Sequence, residues 1–202
     1  MLRYIILLSI ILAIYANNIA IVAIDMQYDL CKEDSSLFVE GCLNAISNMN
    51  YLFATTIDDN VFSVTTSNIQ QQGDHSLELK HELDQFNLHD DKSLNIEQFM
   101  INRYSNELID DLYLPMKTKH FYKNTSSIVK KDAFMAFLED NKIKHIVLGG
   151  VAGEGCVDAS AKDLVALGYE VSIYVPAVGF LSEQGKKTSI NVWLNLGINI
   201  KE

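Results

Sequence analysis

Between His145 and Asp158 the chain passes from an apolar segment, Ile146-Val147-Leu148, through Gly149-Gly150-Val151-Ala152-Gly153-Glu154-Gly155 to Cys156-Val157. An unalternating apolar run, a glycine-rich turn and then a helical repeat describe a strand buried on both faces that feeds a helix, the unit from which parallel sheets are built. Val157, Ala161, Leu164 and Val165 carry that repeat at i, i+4, i+7 and i+8, and Gly168 supplies the stop. A segment of this kind needs parallel neighbours and covering helices, which leaves an α/β fold.

The neighbours can be found along the chain. Ile19 to Ile24 is a continuous apolar run ending at Asp25, and Val61–Thr66, Lys119–Tyr122, Ile143–Leu148, Glu170–Val175 and Gly197–Ile200 are the other candidate strands. Helical patterns over Leu37–Phe53, Lys131–Asn141 and Ser182–Leu194 fall between them, with short ones over 77–86 and 96–112. The reading is therefore a three-layer α/β sandwich around a central, mainly parallel sheet of about six strands. Pro115 and Pro176 are placed at strand boundaries, as breaks. The polar stretch from Ser67 to Leu112 is placed as an excursion over the active-site edge.

A chain of 202 residues with 49% hydrophobic content can bury one full core. The net charge of −10 excludes nucleic acid as a partner, since phosphate neutralisation needs a basic face and no Lys/Arg cluster supplies one. The first residues read as a processing segment. Met1-Leu2-Arg3 is a short basic start, Tyr4 to Ile14 is an apolar core, and Ala16 precedes a polar break, so residues 1–16 are expected to be a cleaved signal peptide and 17–202 the mature domain, with an uncleaved anchor or a buried N-terminal helix as the competing readings. The apolar run falls short of the ~20 residues of a membrane span, so no stable span is expected after cleavage, and the mature chain is assigned to the secreted or endomembrane-lumen space. In that compartment Cys31 and Cys42 can pair while Cys156 stays apart as a thiol. Asn124-Thr125-Ser126 is an N-glycosylation sequon beside Lys123.

The glycine turn is where chemistry is expected. Gly150 and Gly155 have the spacing of a phosphate loop, but Cys156 and Val157 stand where lysine and a hydroxyl residue are needed, and Glu154 repels phosphate. A thiol at a helix N-terminus is instead a nucleophile's setting, because unpaired N–H groups and the helix dipole favour a thiolate. Parallel sheets open their ligand crevice at the C-terminal strand ends. Asp25, Lys123 and Cys156 each follow a predicted strand, so an acid/base, a cation and a thiol are expected to converge there.

Ala23-Ile24-Asp25-Met26-Gln27, Lys123 with Ser127, Gly150-Val151-Ala152-Gly153-Glu154-Gly155-Cys156-Val157, Ala161-Lys162-Asp163 and Gly168-Tyr169-Glu170-Val171 together resemble the isochorismatase-like cysteine hydrolases, the superfamily of nicotinamidases and carbamoyl-amide hydrolases. The resemblance implies a catalytic triad of Asp25, Lys123 and Cys156. Asp25 would take the thiol proton, Lys123 would hold the aspartate and stabilise the thiolate, and Cys156 would attack a carbonyl. It implies further that the Val151–Ala152 peptide is cis and that the N–H groups of Ala152 and Cys156 form an oxyanion hole.

The departures are equally specific. Thr65-Thr66-Ser67-Asn68-Ile69-Gln70 stands where nicotinamidases carry an Asp-x-His metal motif, and His75, His81 and His89 are scattered, so neither metal nor cofactor is expected. Gly153 replaces a common threonine or serine, and Pro176 a common aspartate. The expected function is a secreted, metal-independent cysteine amidohydrolase cleaving a small C–N substrate through a thioester. Two alternatives stay open: a vinyl-ether hydrolase of the isochorismatase type, which needs Asp25 but not Cys156, and a non-catalytic binding protein on the same fold. The expected partner is a small-molecule substrate, and a homo-oligomer in which another subunit adds pocket walls is also left open.

Overall fold

A computed structural model describes residues 18–35, 37–56, 58–68 and 107–202. The expected signal peptide, the three scattered histidines and the helical patterns over 77–86 and 96–106 lie outside the described residues.

Six strands form one sheet: β1 (Asn18–Ile24), β2 (Val61–Asn68), β3 (Lys119–Lys123), β4 (Ile143–Gly150), β5 (Glu170–Val178) and β6 (Asn199–Lys201). Their spatial order is β3-β2-β1-β4-β5-β6 and every pairing is parallel. The unalternating runs are explained by two covered faces. Ala20, Val22 and Ile24 of β1 enter the core shared with Phe134, Leu138, Ala161, Leu164 and Trp193, while Ile21 and Ala23 enter the one shared with Ala45, Ile46, Met49 and Phe53.

Helices α1 (Tyr28–Cys31), α2 (Cys42–Thr55), α3 (Asp132–Asp140), α4 (Asp158–Ala166) and α5 (Glu183–Asn195) supply the outer layers. The α2 helix starts at Cys42 rather than near Leu37, because the chain turns through Gly41 at φ 85°, a left-handed position suited to glycine. Residues 107–112 also depart from the helix expected over 96–112: Leu108 bridges antiparallel to Gln27, and Ile109 and Leu112 are buried against α2 and β1. Pro176 is a second correction, for it lies inside β5. The β4–β5 register shifts between Leu148 and Gly150, and Pro176 occupies the bulged stretch, where a missing N–H removes no ladder bond.

The strand order places the site. The chain moves outward through β1, β2 and β3, then returns to set β4 on the other flank of β1. Loops leaving β1 and β4 therefore part in opposite directions, and the crevice between them is the ligand position of open parallel sheets. Asp25 follows one strand and Gly150 ends the other, with Ile24 and Gly150 paired.

Candidate active site

Asp25 leaves β1 with φ 51°, which turns its carboxylate away from the strand's alternation and into the crevice. The carboxylate is fully buried and engaged at both oxygens: Lys123 Nζ lies 2.6 Å from Oδ2, and Thr66 Oγ1 donates to Oδ1 at 2.7 Å. Thr66 Oγ1 also accepts from the Asp25 N–H at 3.1 Å. Lys123, at the end of β3, is 1% exposed and uses all three of its N–H bonds, the other two going to the carbonyls of Thr125 and Ser126 at 3.1 Å each. A buried ion pair this fully hydrogen-bonded is held in one geometry.

Cys156 reaches the same crevice by a route that differs from the expected one. The residues Gly153–Val157 form a π-helical turn, and α4 begins only at Asp158, so the thiol sits within a wide turn ahead of the helix rather than on its first residue. Two bonds close the turn on Ala152 O, from Gly155 N at 3.0 Å and Val157 N at 3.2 Å. Ser160 Oγ then donates to Cys156 O at 2.7 Å and accepts from Ile128 N at 3.2 Å, tying the cysteine backbone to the segment that follows Lys123.

The electrostatics of the thiol also correct the expectation of a lowered pKa. Burial pushes it up to about 11, and the Asp25 carboxylate adds to the rise, while Lys123 and the Asn68 side chain pull the other way. A buried thiol facing a carboxylate is kept protonated at neutral pH.

The peptide between Val151 and Ala152 is cis. Its surroundings account for the glycines: Gly150 has φ 124°, and a Cβ there would come within 2.1 Å of Ile24 O. Val151 N donates to Ile24 O at 2.9 Å, Gly179 N to Gly150 O at 3.1 Å and Gly153 N to Gly179 O at 2.8 Å, so the turn is fastened to β1 and to the end of β5. Gly153, where a hydroxyl residue is common, is explained by Phe180, whose ring would meet a Cβ there at 2.3 Å. Glu154 accepts from Leu181 N at 2.9 Å and Ser182 N at 3.1 Å, a clasp on the start of α5.

Cys31 and Cys42 form a disulfide, with Cα atoms 5.2 Å apart, that ties α1 to the first residue of α2. The residues that sequence reading left unassigned are Thr66, Asn68 and Ser160. For Thr66 and Asn68 the available signal was the polar run Thr65-Thr66-Ser67-Asn68 at the end of the strand; Ser160, inside the helix, had none. Asn68 Nδ2 stands 3.7 Å from Cys156 Sγ.

Among the described residues no group of three His, Cys, Asp or Glu side chains could hold a metal. The strand end where nicotinamidases place such a motif offers hydroxyls and an amide, of which Thr65 is bonded to His120, Thr66 to Asp25 and Asn68 to Thr125 O. Zinc takes imidazole, thiolate or carboxylate, and this donor set does not fit it. Among the described residues no helix is long and apolar enough to cross a membrane.

Solved structures share this architecture. An isochorismatase-like hydrolase from Alkaliphilus metalliredigens superposes with a TM-score of 0.72 at 19% identity, over 92% of this chain and 94% of that one. A pyrazinamidase/nicotinamidase from Streptococcus mutans UA159 gives 0.67 at 20% identity over 90% and 99%. A cysteine hydrolase from Pseudomonas syringae pv. phaseolicola 1448A gives 0.71 at 15% over 91% and 88%. No curated protein sequence matches the chain. The isochorismatase domain model matches residues 19–199, which runs from β1 to the first residue of β6 and includes every residue of the site, and the chain therefore belongs to the isochorismatase family.

Proposed function

We propose that this member of the family is a metal-independent cysteine amidohydrolase that cleaves a small C–N substrate through a thioester on Cys156. The observation that carries the reading is the arrangement of Asp25 between Lys123 and the thiol: a buried carboxylate paired to an ammonium at 2.6 Å, beside a thiol that burial, and then the carboxylate's charge, keep protonated. Such a carboxylate is a base for the thiol proton at the moment of attack, so no standing thiolate is required.

The steps balance without a co-reactant. Cys156 Sγ forms a bond to the amide carbonyl carbon as its proton passes to Asp25, and the oxyanion is received by the N–H groups of Ala152 and Cys156. The C–N bond breaks, the proton on Asp25 leaves with the amine, and a thioester remains. Water then gives its proton to Asp25 and its oxygen to the acyl carbon, the C–S bond breaks, and the acid and the thiol are restored. Lys123 holds Asp25 in place throughout and keeps a positive charge beside the site. The neighbouring nicotinamidase and cysteine hydrolase folds are consistent with this chemistry, and the presence of a thiol favours amide over vinyl-ether cleavage, which needs only an acid.

We assign the mature protein to the secreted or endomembrane space. The Cys31–Cys42 disulfide supports that reading, since such bonds persist in oxidising compartments. Ammonia or amine release from a panel of small amides, with and without a chelator, tests the function. Hydrolysis that a chelator leaves unchanged is expected; a rate lost to chelation and restored by zinc would overturn it.

A further inference from the structure

We infer that Asn68 is a catalytic residue, the side-chain hydrogen-bond donor that stabilises the Cys156 thiolate as it forms, and that Gln27 is the positioning residue that holds Asn68 for this task. The inference rests on the cysteine-hydrolase reading for its catalytic meaning, but its physical content concerns the thiol alone.

Three observations place the donor. Asn68 is 2% exposed at the last position of β2, on the face that Thr66 uses to reach Asp25. Its Nδ2 is 3.2 Å from Thr125 O and 3.7 Å from Cys156 Sγ. A backbone carbonyl only accepts, so Thr125 O fixes which end of the amide faces the site: the NH2 group, with one N–H on the carbonyl and the other directed at sulfur. The thiol thus has a carboxylate that takes its proton and a neutral donor that receives the charge left behind. Lys123 is anchored to the same carbonyl, Thr125 O at 3.1 Å, which sets ammonium and amide in one register around the crevice.

Gln27 provides the second half. Asn68 N donates to Gln27 Oε1 at 2.8 Å, and Gln27 Nε2 donates to Asn68 O at 3.3 Å. The β1 strand has ended at Ile24, so the primary amide of Gln27 stands in for a peptide group and extends the β1–β2 ladder to Asn68. The Asp25-Met26-Gln27 turn then has two functions: Asp25 takes the lysine and Gln27 takes the strand that bears the donor. Both Gln27 and Asn68 are buried, so neither arrangement is a solvent-facing accident.

The test reads the thiol, not turnover. With Cys31 and Cys42 in a disulfide, iodoacetamide labelling reports Cys156, and its rate against pH gives the thiol's titration. Asn68→Leu, which keeps the shape and removes the donor, is expected to slow labelling about tenfold at a fixed pH below the inflection and to move the inflection upward. Asn68→Asp, close in shape but unable to donate when ionised, is expected to move it further, and Gln27→Ala in the same direction by less. A wild-type profile in a folded Asn68→Leu or Asn68→Asp protein would overturn the inference. If Asn68→Leu does not fold, Asn68→Asp and Gln27→Ala decide the matter. Should the profile shift while wild-type protein hydrolyses no amide, the thiolate donor stands and the substrate reading fails.

Discussion

Lys123 Nζ and Asp25 Oδ2 stand 2.6 Å apart with the two side chains 1% and 0% exposed, at the ends of strands separated in the sheet by β2. Removing one member leaves an uncompensated charge in the interior, which costs about 3–5 kcal/mol. Lys123→Met is therefore expected to lose stability on that scale in urea unfolding. The double variant Asp25→Asn/Lys123→Met should be less destabilised than Lys123→Met, because both charges are gone; equal losses would show that the pair is not coupled.

Asp25 also acts on the thiol, and the sign can be checked. A negative neighbour disfavours the thiolate, so Asp25→Asn should lower the Cys156 pKa from about 11 and speed iodoacetamide labelling at pH 8. The same variant should lose on the order of a thousandfold in amide hydrolysis, because the base is gone. Faster alkylation joined to slower turnover separates a base from a merely structural carboxylate; slower alkylation would contradict the assignment.

The raised thiol also sets a pH dependence of stability. The folded state holds this proton more tightly than the unfolded chain, whose thiol titrates near its ordinary value of 9.0. The contribution is intact below that value and declines as pH rises from about 9 to about 11. Denaturant midpoints of the wild type should fall across that window more steeply than those of Cys156→Ala, and parallel curves would show that the thiol is not the cause.

Much of this arrangement was legible before the structure. Unalternating runs such as Ile19–Ile24 and Ile143–Leu148 mark strands covered on both faces, and the helix containing Ala161 and Leu164 follows from its spacing. Asp25, Lys123 and Cys156 could be singled out because each comes after a predicted strand, and a parallel sheet gathers those ends. What periodicity cannot show is how the chain bends locally. The π-turn that carries Cys156 depends on tertiary bonds from Gly153 N to Gly179 O and from Val151 N to Ile24 O, made by residues distant in sequence. The thiol's raised pKa was missed for a related reason. A helix-terminus argument counts local N–H groups, whereas burial and a carboxylate from another strand decide the outcome. Pro176 reads as a break, and only the shifted β4–β5 register reveals a bulge that tolerates it.

Gly150 gives a sharper structural test. A Cβ there meets Ile24 O at 2.1 Å at a φ of 124°, which an L side chain resists. Gly150→Ala should cost about 1–3 kcal/mol from the backbone alone and displace the turn that carries Ala152, so activity should fall even where the protein remains folded. Thermal unfolding alongside amide hydrolysis checks both, and wild-type values in both would contradict the packing described.

The Cys31–Cys42 bridge closes a short loop, with a sequence separation of 11. Its removal by the paired substitution Cys31→Ala/Cys42→Ala should lower stability by about 2–4 kcal/mol, measured by guanidinium unfolding. Wild-type protein in reductant should approach the same value, and an unchanged midpoint in both cases would mean that the bridge adds nothing.

The account stands most directly on the covalent role of Cys156. Intact-mass measurement of the protein mixed with a slowly turned-over amide should show an acyl adduct that maps to Cys156, is lost in hydroxylamine and is absent from Cys156→Ala, whose hydrolysis should be abolished with folding nearly unchanged. Amide hydrolysis at the wild-type rate in folded Cys156→Ala would contradict it.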